Sequence, residues 1–364
     1  MKKETSAHPS RKQKAAKQRP YRVHPAALIL LAVGALCFSA AAFLSAYIVP
    51  PPNRGVMAPP NHGGLYEDDD QNADSSDTAL PSETSGAANV QTPSNAGMVT
   101  VLLVGTEDDF NTDTIMVARL DVKNATLNVV SIPRDTKVSA KNRSLKKING
   151  AYGNGKEGND SEKGINALRT ELASLIGFYP DYYALVDMKA FVELVDALDG
   201  VKFNVPRNMY KPTDGLIIDL KEGEQILDGN KALQLVRYRG YTSNDKAGVS
   251  NDDFGRIEMQ QLFLKAVAKQ TLQIKNIFKV DEFVKIAQDN VKTDIEARYM
   301  LWFAMELMKL DAENIHFATL PVNPKENPQS YVYVKPAEAL TMINEMINPF
   351  LEDITAQNVK HVTS

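Results

Sequence analysis

The stretch NVVSIPRDTKV, Asn128 to Val138, starts as an apolar β-strand and runs directly into Pro133, Arg134 and Asp135. Proline has no N–H to give to a sheet ladder, so the strand ends there. A cation and an anion then follow side by side. Two readings fit: a salt-bridged turn, or a strand end that presents a charged pair to a ligand.

The segments around it set the fold class. MVTVLLVGT, from Met98, reads as a buried strand ending at Gly105. TIMVARLD and ATLNVVSIP are β-rich runs on either side of Val122, Lys123 and Asn124, the pattern of a hairpin. Downstream the period changes. Ile165, Leu168, Leu172, Leu175 and Ile176 share one helical face with Gly177 as its stop, and Phe191, Leu194, Val195 and Leu198 form a second such face stopping at Gly200. Tyr182–Val186 and VKFNV read as strands. Asp228 is the candidate N-cap of a short helix running into LVRYRG, and Asp252 or Asp253 caps a longer one to about Ile274. Thr293 with Glu296 has capping-box spacing before IEARYMLWFAMELMKL. IHFATLP and YVYV read as late strands, and Pro336 starts a terminal helix. Strands and helices interleave while hairpins also occur. That predicts one mixed α/β (α+β) domain over 98–350, a mixed β-sheet flanked by helices, followed by a tail over 351–364.

Residues 1–25 form a basic tail, with eight Lys or Arg among the first 22 residues against one acid, Glu4, so the rest of this chain of net charge −4 is acidic. Ala26 to Val49 then reads AALILLAVGALCFSAAAFLSAYIV, without a charge. At about 1.5 Å per residue it crosses a hydrocarbon core of roughly 30 Å. A cleaved signal peptide would have a shorter apolar core, about 7–15 residues. The basic flank stays in the cytoplasm, which predicts a single-pass membrane protein with its large domain outside. Residues 50–97 are rich in Pro, Gly, Ser, Asn and Ala and read as a disordered linker. The basic residues sit on a tail rather than on the folded part, which argues against a nucleic-acid partner. Cys37 is the single cysteine, and no histidine lies between residues 63 and 315. This excludes a disulfide framework and disfavours a His-based triad or zinc site there.

Charge gathers in four otherwise apolar settings. GTEDDFNTDTI carries Glu107, Asp108, Asp109 and Asp113, IPRD carries Arg134 and Asp135, VRYRG carries Arg237 and Arg239, and DDFGRIEMQQ carries Asp252, Asp253, Arg256, Gln260 and Gln261. Arg237 and Arg239, two apart on an extended stretch, point to one side and repel unless an anion lies between them. A pyrophosphate accepts bidentate hydrogen bonds from such planar forks. Arg256 and Gln260 share a helix face, with Arg256 in the first turn where the helix dipole favours an anion. Asp113 and Asp135 are candidates for Mg²⁺, which takes one or two carboxylates plus phosphate oxygens and water.

In order, the chain shows LLVGTE, TDTIMV, VVSIPRDTKV, KKINGAYGNG, LVDALDGVKFNV, LDGNKALQLVRYR and NDDFGRIEMQQ. This series resembles the LytR-CpsA-Psr (LCP) family of Gram-positive cell-envelope proteins, closely over about residues 98–275. The resemblance implies a mixed sheet flanked by helices, enclosing an apolar pocket for a polyprenyl chain. It implies an Mg²⁺-dependent phosphotransferase. Such an enzyme moves an anionic glycopolymer, such as teichoic acid or capsular polysaccharide, from an undecaprenyl-pyrophosphate-linked precursor to a peptidoglycan sugar hydroxyl. By position, Arg134, Arg237, Arg239 and Arg256 resemble the pyrophosphate-binding arginines, with Gln260 beside them. Asp113 and Asp135, with Glu107, resemble the metal-linked acids. Asp253 and Asp135 are the candidates for removing the hydroxyl proton. Three positions depart from the family pattern: Phe110 and Asn111 stand where an arginine commonly precedes TDT, Glu107 stands for the usual aspartate, and Met259 replaces an arginine of RIxRQQ. The competing readings are a hydrolase of the same lipid pyrophosphate and a non-catalytic binder of lipid-linked glycans.

Overall fold

The computed structural model describes residues 49–54, 56–57, 97–106, 111–140, 143–158, 160–213, 216–238, 253–271, 285–286, 288–289, 291–324 and 330–363. The predicted membrane span, the basic tail, most of the linker, Glu107 and Arg239 lie outside them, and of Asp253 only the backbone is described. Among the described residues no helix is long and apolar enough to cross a membrane.

The elements, in chain order, are β1 (Val56–Met57), β2 (Met98–Thr106), β3 (Thr112–Asp121), β4 (Thr126–Ser131), α1 (Ala151–Gly155), α2 (Ser161–Ile176), β5 (Phe178–Tyr179), β6 (Tyr182–Asp187) and α3 (Met188–Ala197). There follow β7 (Val201–Val205), β8 (Met209–Thr213), β9 (Leu216–Leu220), β10 (Gly223–Leu227), α4 (Gly229–Arg237) and α5 (Asp253–Thr271). The chain closes with β11 (Val291–Thr293), α6 (Ala297–Met308), β12 (Ile315–Thr319), β13 (Val322–Pro324), β14 (Val332–Val334) and α7 (Pro336–Met342).

The main sheet has six strands in the order β11-β6-β2-β3-β4-β12. β2 pairs parallel with β6 and β4 with β12, and the other neighbours are antiparallel, so the sheet is mixed. Strand periodicity divides its residues between two faces. Leu102, Ile115, Val117 and Val130 pack into a large core with α1, α2 and α7. Met116, Ala118 and Val129 take the opposite face, against Leu264 of α5 and Phe317. A second core joins α3, α4 and α5 to the β7–β10 and β8–β9 ribbons around Val201, Leu235 and Phe263. α3 and α4 cross closely at Gly229, where an added Cβ would collide with the Val192 backbone.

The helix ends follow their sequence signals. Asp160 caps α2 by accepting from Glu162 and Lys163 N–H, and Asp228 caps α4 through Lys231 N–H. Gly177 ends α2 at φ 83°, a left-handed conformation that glycine adopts without strain.

Four expectations need correction. Arg237 is not on an extended stretch; it is the last residue of α4, because Leu235 and Ala232 bury as a helical face in the second core. The Thr293–Glu296 capping box does not form: the Thr293 hydroxyl donates to Tyr183 O and accepts from Ile295 N–H, and Glu296 caps α6 without a side-chain bond. The linker does not start at residue 50. Arg54 N–H donates to buried Asp181 at 2.5 Å, Tyr182 Oη donates to Pro52 O at 2.7 Å, and β1 pairs with β5. Nor is 351–363 a separate tail, since Ile354 enters the large core and Val359 packs on it.

Candidate functional site

β2 and β6 run parallel, and Thr106 and Asp187 at their carboxyl ends are register partners. Thr106 also pairs with Thr112, the first residue of β3. Three strand ends thus meet at one edge of the sheet, the kind of place where α/β sheets hold ligands. Beside it, between the second face of the sheet and the second core, lies a cavity of about 510 Å³. Leu103, Met116, Phe191, Leu194, Leu233 and Phe263 supply much of its apolar wall. The size and lining suit a ligand that is mostly apolar with a few polar anchors.

Among the described residues the charged ones in the wall are Asp113, Asp187, Lys211, Arg237 and Arg256. Asp113 is the hub. Its Oδ1 lies 2.5 Å from Arg134 Nη1 and 3.5 Å from Arg256 Nη1, and its carbonyl accepts from Arg256 Nη2 at 3.4 Å. Arg256 is only 3 % exposed and sits in the first turn of α5. Two guanidiniums on one carboxylate leave this wall with a net positive charge, and the helix N-terminus adds to it. Burial strengthens the field by removing water. Arg237 ends α4, with Nη1 3.5 Å from Met188 Sδ. Gln260 is anchored by Val236 O and Thr114 Oγ1 while lining the cavity.

The IPRD turn resolves in two directions. Arg134 reaches Asp113, one step behind the cavity wall, whereas Asp135 turns away to Lys147 Nζ at 2.8 Å, with Arg134 Nε at 3.9 Å. The Lys147 segment is itself pinned. Arg143 donates to Lys147 O at 2.8 Å and forks onto Glu171 of α2, both side chains under 10 % exposed. Burial pushes the Glu171 carboxyl above its usual range, and Arg143 counteracts this.

Of the residues predicted to bind pyrophosphate, the structure brings Arg256, Arg237 and Gln260 to the cavity and places Arg134 behind Asp113. Of the predicted metal acids, Asp113 lines the cavity. Asp135 is not among the wall residues; its Oδ1 lies 2.8 Å from Lys147 Nζ and its Oδ2 3.9 Å from Arg134 Nε. Among the described residues no group of three or more His, Cys, Asp or Glu could hold a metal ion. Asp113 fits as one carboxylate ligand of Mg²⁺, which takes one or two carboxylates with substrate phosphate oxygens and water completing the shell. Met259 is 1 % exposed, packs in the second core and is not among the residues lining the cavity.

The sequence reading missed two wall residues. Asp187 was legible as an N-cap: it follows a strand, precedes the Phe191 helix and accepts from Ala190 N–H at 2.8 Å. Lys211 had no signal, because the β8–β9 hairpin that carries it was not read.

The LytR_cpsA_psr family model covers residues 65–348. The chain belongs to the LytR-CpsA-Psr family. Within this family it is 31% identical over 252 residues to the cell wall biosynthesis protein LcpA of Corynebacterium glutamicum, which is 64% of this chain and 47% of LcpA. It is 28% identical over 269 residues, 69% of this chain and 64% of the relative, to TagV of Bacillus subtilis, named a polyisoprenyl-teichoic acid–peptidoglycan teichoic acid transferase. The chain thus spans about half of LcpA and less than two thirds of TagV. The crystal structure of B. subtilis TagV superposes with a TM-score of 0.57 at 25% identity, covering 69% of this chain and 96% of that one.

Proposed function

We propose that this LytR-CpsA-Psr protein transfers a glycosyl phosphate, part of an anionic glycopolymer, from a polyprenyl-pyrophosphate-linked precursor to a sugar hydroxyl of peptidoglycan. It does so outside the cell, anchored by residues 26–49 as a single-pass membrane protein. The observation that carries this reading is the juxtaposition in one cavity of an apolar wall with Arg256, Arg237 and the Asp113–Arg134 pair. An apolar chain and a pyrophosphate on one molecule need those two environments side by side. Membership of the family and similarity to TagV, whose name states this transfer, support it.

The chain's own residues do the following. The apolar wall takes the polyprenyl chain. Arg256 and Arg237 bind the pyrophosphate oxygens, and Arg134 holds Asp113 in place. Mg²⁺, held by Asp113 and the phosphates, would add charge neutralisation at the phosphoryl oxygens. The acceptor hydroxyl attacks the sugar-proximal phosphorus, and polyprenyl phosphate leaves. A loose phosphoryl transition state needs positioning and electrostatic stabilisation more than covalent help.

The test is to incubate the full chain with Mg²⁺, a synthetic polyprenyl-pyrophosphate oligosaccharide and peptidoglycan fragments, beside Arg256→Ala. Mass spectrometry should find a phosphodiester-linked adduct that the variant does not form. Free glycan phosphate without adduct would make the protein a hydrolase, and bound but intact substrate would make it a binder.

A further inference from the structure

Among the described residues two carboxylates reach the cavity wall, Asp113 and Asp187. They are differently engaged. Asp113 already carries two guanidiniums. Asp187 uses Oδ1 to accept Ala190 N–H at 2.8 Å, capping α3, and among the described residues its Oδ2 takes part in no hydrogen bond or ion pair. The cap fixes the carboxylate, so one oxygen is held in a set direction with its lone pairs available. We propose that Asp187 is the acceptor-side catalytic residue: it accepts the hydrogen bond, and then the proton, of the sugar hydroxyl that attacks the pyrophosphate.

This rests on the transfer reaction proposed above. Register gives the spacing. Asp187 pairs with Thr106 and Thr106 with Thr112, the residue before Asp113. Two strand spacings put Asp187 roughly 10 Å across the sheet edge from that corner. The gap leaves room for a phosphoryl group between the arginine-bearing side and Asp187. Arg237 spans part of it, since its guanidinium reaches Met188, the next residue after Asp187. A phosphate on Arg237 therefore lies near the Asp187 carboxylate. Of the two acids the sequence offered for this role, Asp135 pairs with Lys147 and is not among the wall residues, and the side chain of Asp253 lies outside what is described.

The step balances without a further reagent. The acceptor oxygen bonds to the sugar-proximal phosphorus, and the bond from that phosphorus to the bridging oxygen breaks. Polyprenyl phosphate departs with the electron pair, and the hydroxyl proton passes to Asp187 Oδ2.

A merely structural role can be separated, because asparagine caps a helix as well as aspartate does. Asp187→Asn in the full chain should keep the thermal midpoint and the affinity for polyprenyl pyrophosphate. Its turnover with peptidoglycan fragments should fall by about 100-fold or more, the usual scale for losing a general base. The acidic limb of the pH–rate profile should disappear with it, and Asp187→Glu should recover part of the rate. Turnover within about twofold of the unsubstituted protein would overturn the proposal. So would a loss accounted for by weaker lipid binding or a lower midpoint. If the unsubstituted protein neither transfers nor hydrolyses, the transfer reading fails and the role of Asp187 falls with it. If it is active and Asp187→Asn is equally active, only Asp187 is misassigned.

Discussion

At the scale of single residues, the site depends on ion pairs that are partly or wholly buried, and these have asymmetric energetics. Removing one partner strands a charge; removing both costs little. The Arg143–Glu171 fork is the clearest case, because Glu171 has burial working against its charged form and Arg143 as its counter-ion. Arg143→Ala should cost about 3–5 kcal/mol in denaturant unfolding. It should also release the Lys147 segment that holds Asp135. The double variant Arg143→Met/Glu171→Leu should regain most of that stability, and equal losses in both would contradict this account. Much of this scale was legible. Asp113 of TDT, Arg134 of IPRD and Arg256 of DFGR do meet, although the sequence could not tell which of Arg134 and Asp135 would turn toward the cavity. That choice depends on Lys147, whose position is set by contacts far away in sequence.

At the scale of elements, helices with strong caps and strands with strict alternation were readable, and short ribbons were not. β8 reads MYKPT and β9 LIIDL, five residues each without a strict alternation, and Pro212 argues against a strand until Met209, Ile218 and Leu220 are seen to bury. The C-terminal segment was misread because its apolar residues are sparse, yet a few suffice when they fall on a preformed core. It also carries a pH dependence. Burial lowers the His361 pKa; Nε2 lies 2.8 Å from Leu175 O, and Nδ1 is buried with no hydrogen-bond partner among the described residues. The unfolded chain takes up the proton near the ordinary value of about 6.5, before the folded one does. The docking is therefore fully stable above that value and weakens as pH falls through it toward the folded pKa. Hydrogen exchange across residues 354–361, corrected for intrinsic rates, should accelerate between about pH 7.5 and about pH 5.5. His361→Gln should abolish that difference, and unchanged protection in the unsubstituted protein would contradict it.

At the scale of the whole folded unit, the cavity forms between the second face of the main sheet and the second core, so no single segment could have announced it. The apolar residues lining it were legible only as helix faces and strands, since the same periodicity serves a filled core and a lined void. The central claim is that this void receives an apolar chain while the Asp113–Arg256 corner and Arg237 receive its pyrophosphate. The most direct measurement is equilibrium binding of a long-chain polyprenyl pyrophosphate to the full chain, compared with the matching polyprenyl monophosphate. The pyrophosphate should bind saturably and at least about tenfold more tightly, and Arg237→Ala and Arg256→Ala should each remove most of that preference, as expected for charge-assisted forks. Equal affinity for the two lipids, or a preference that survives both substitutions, would contradict the account.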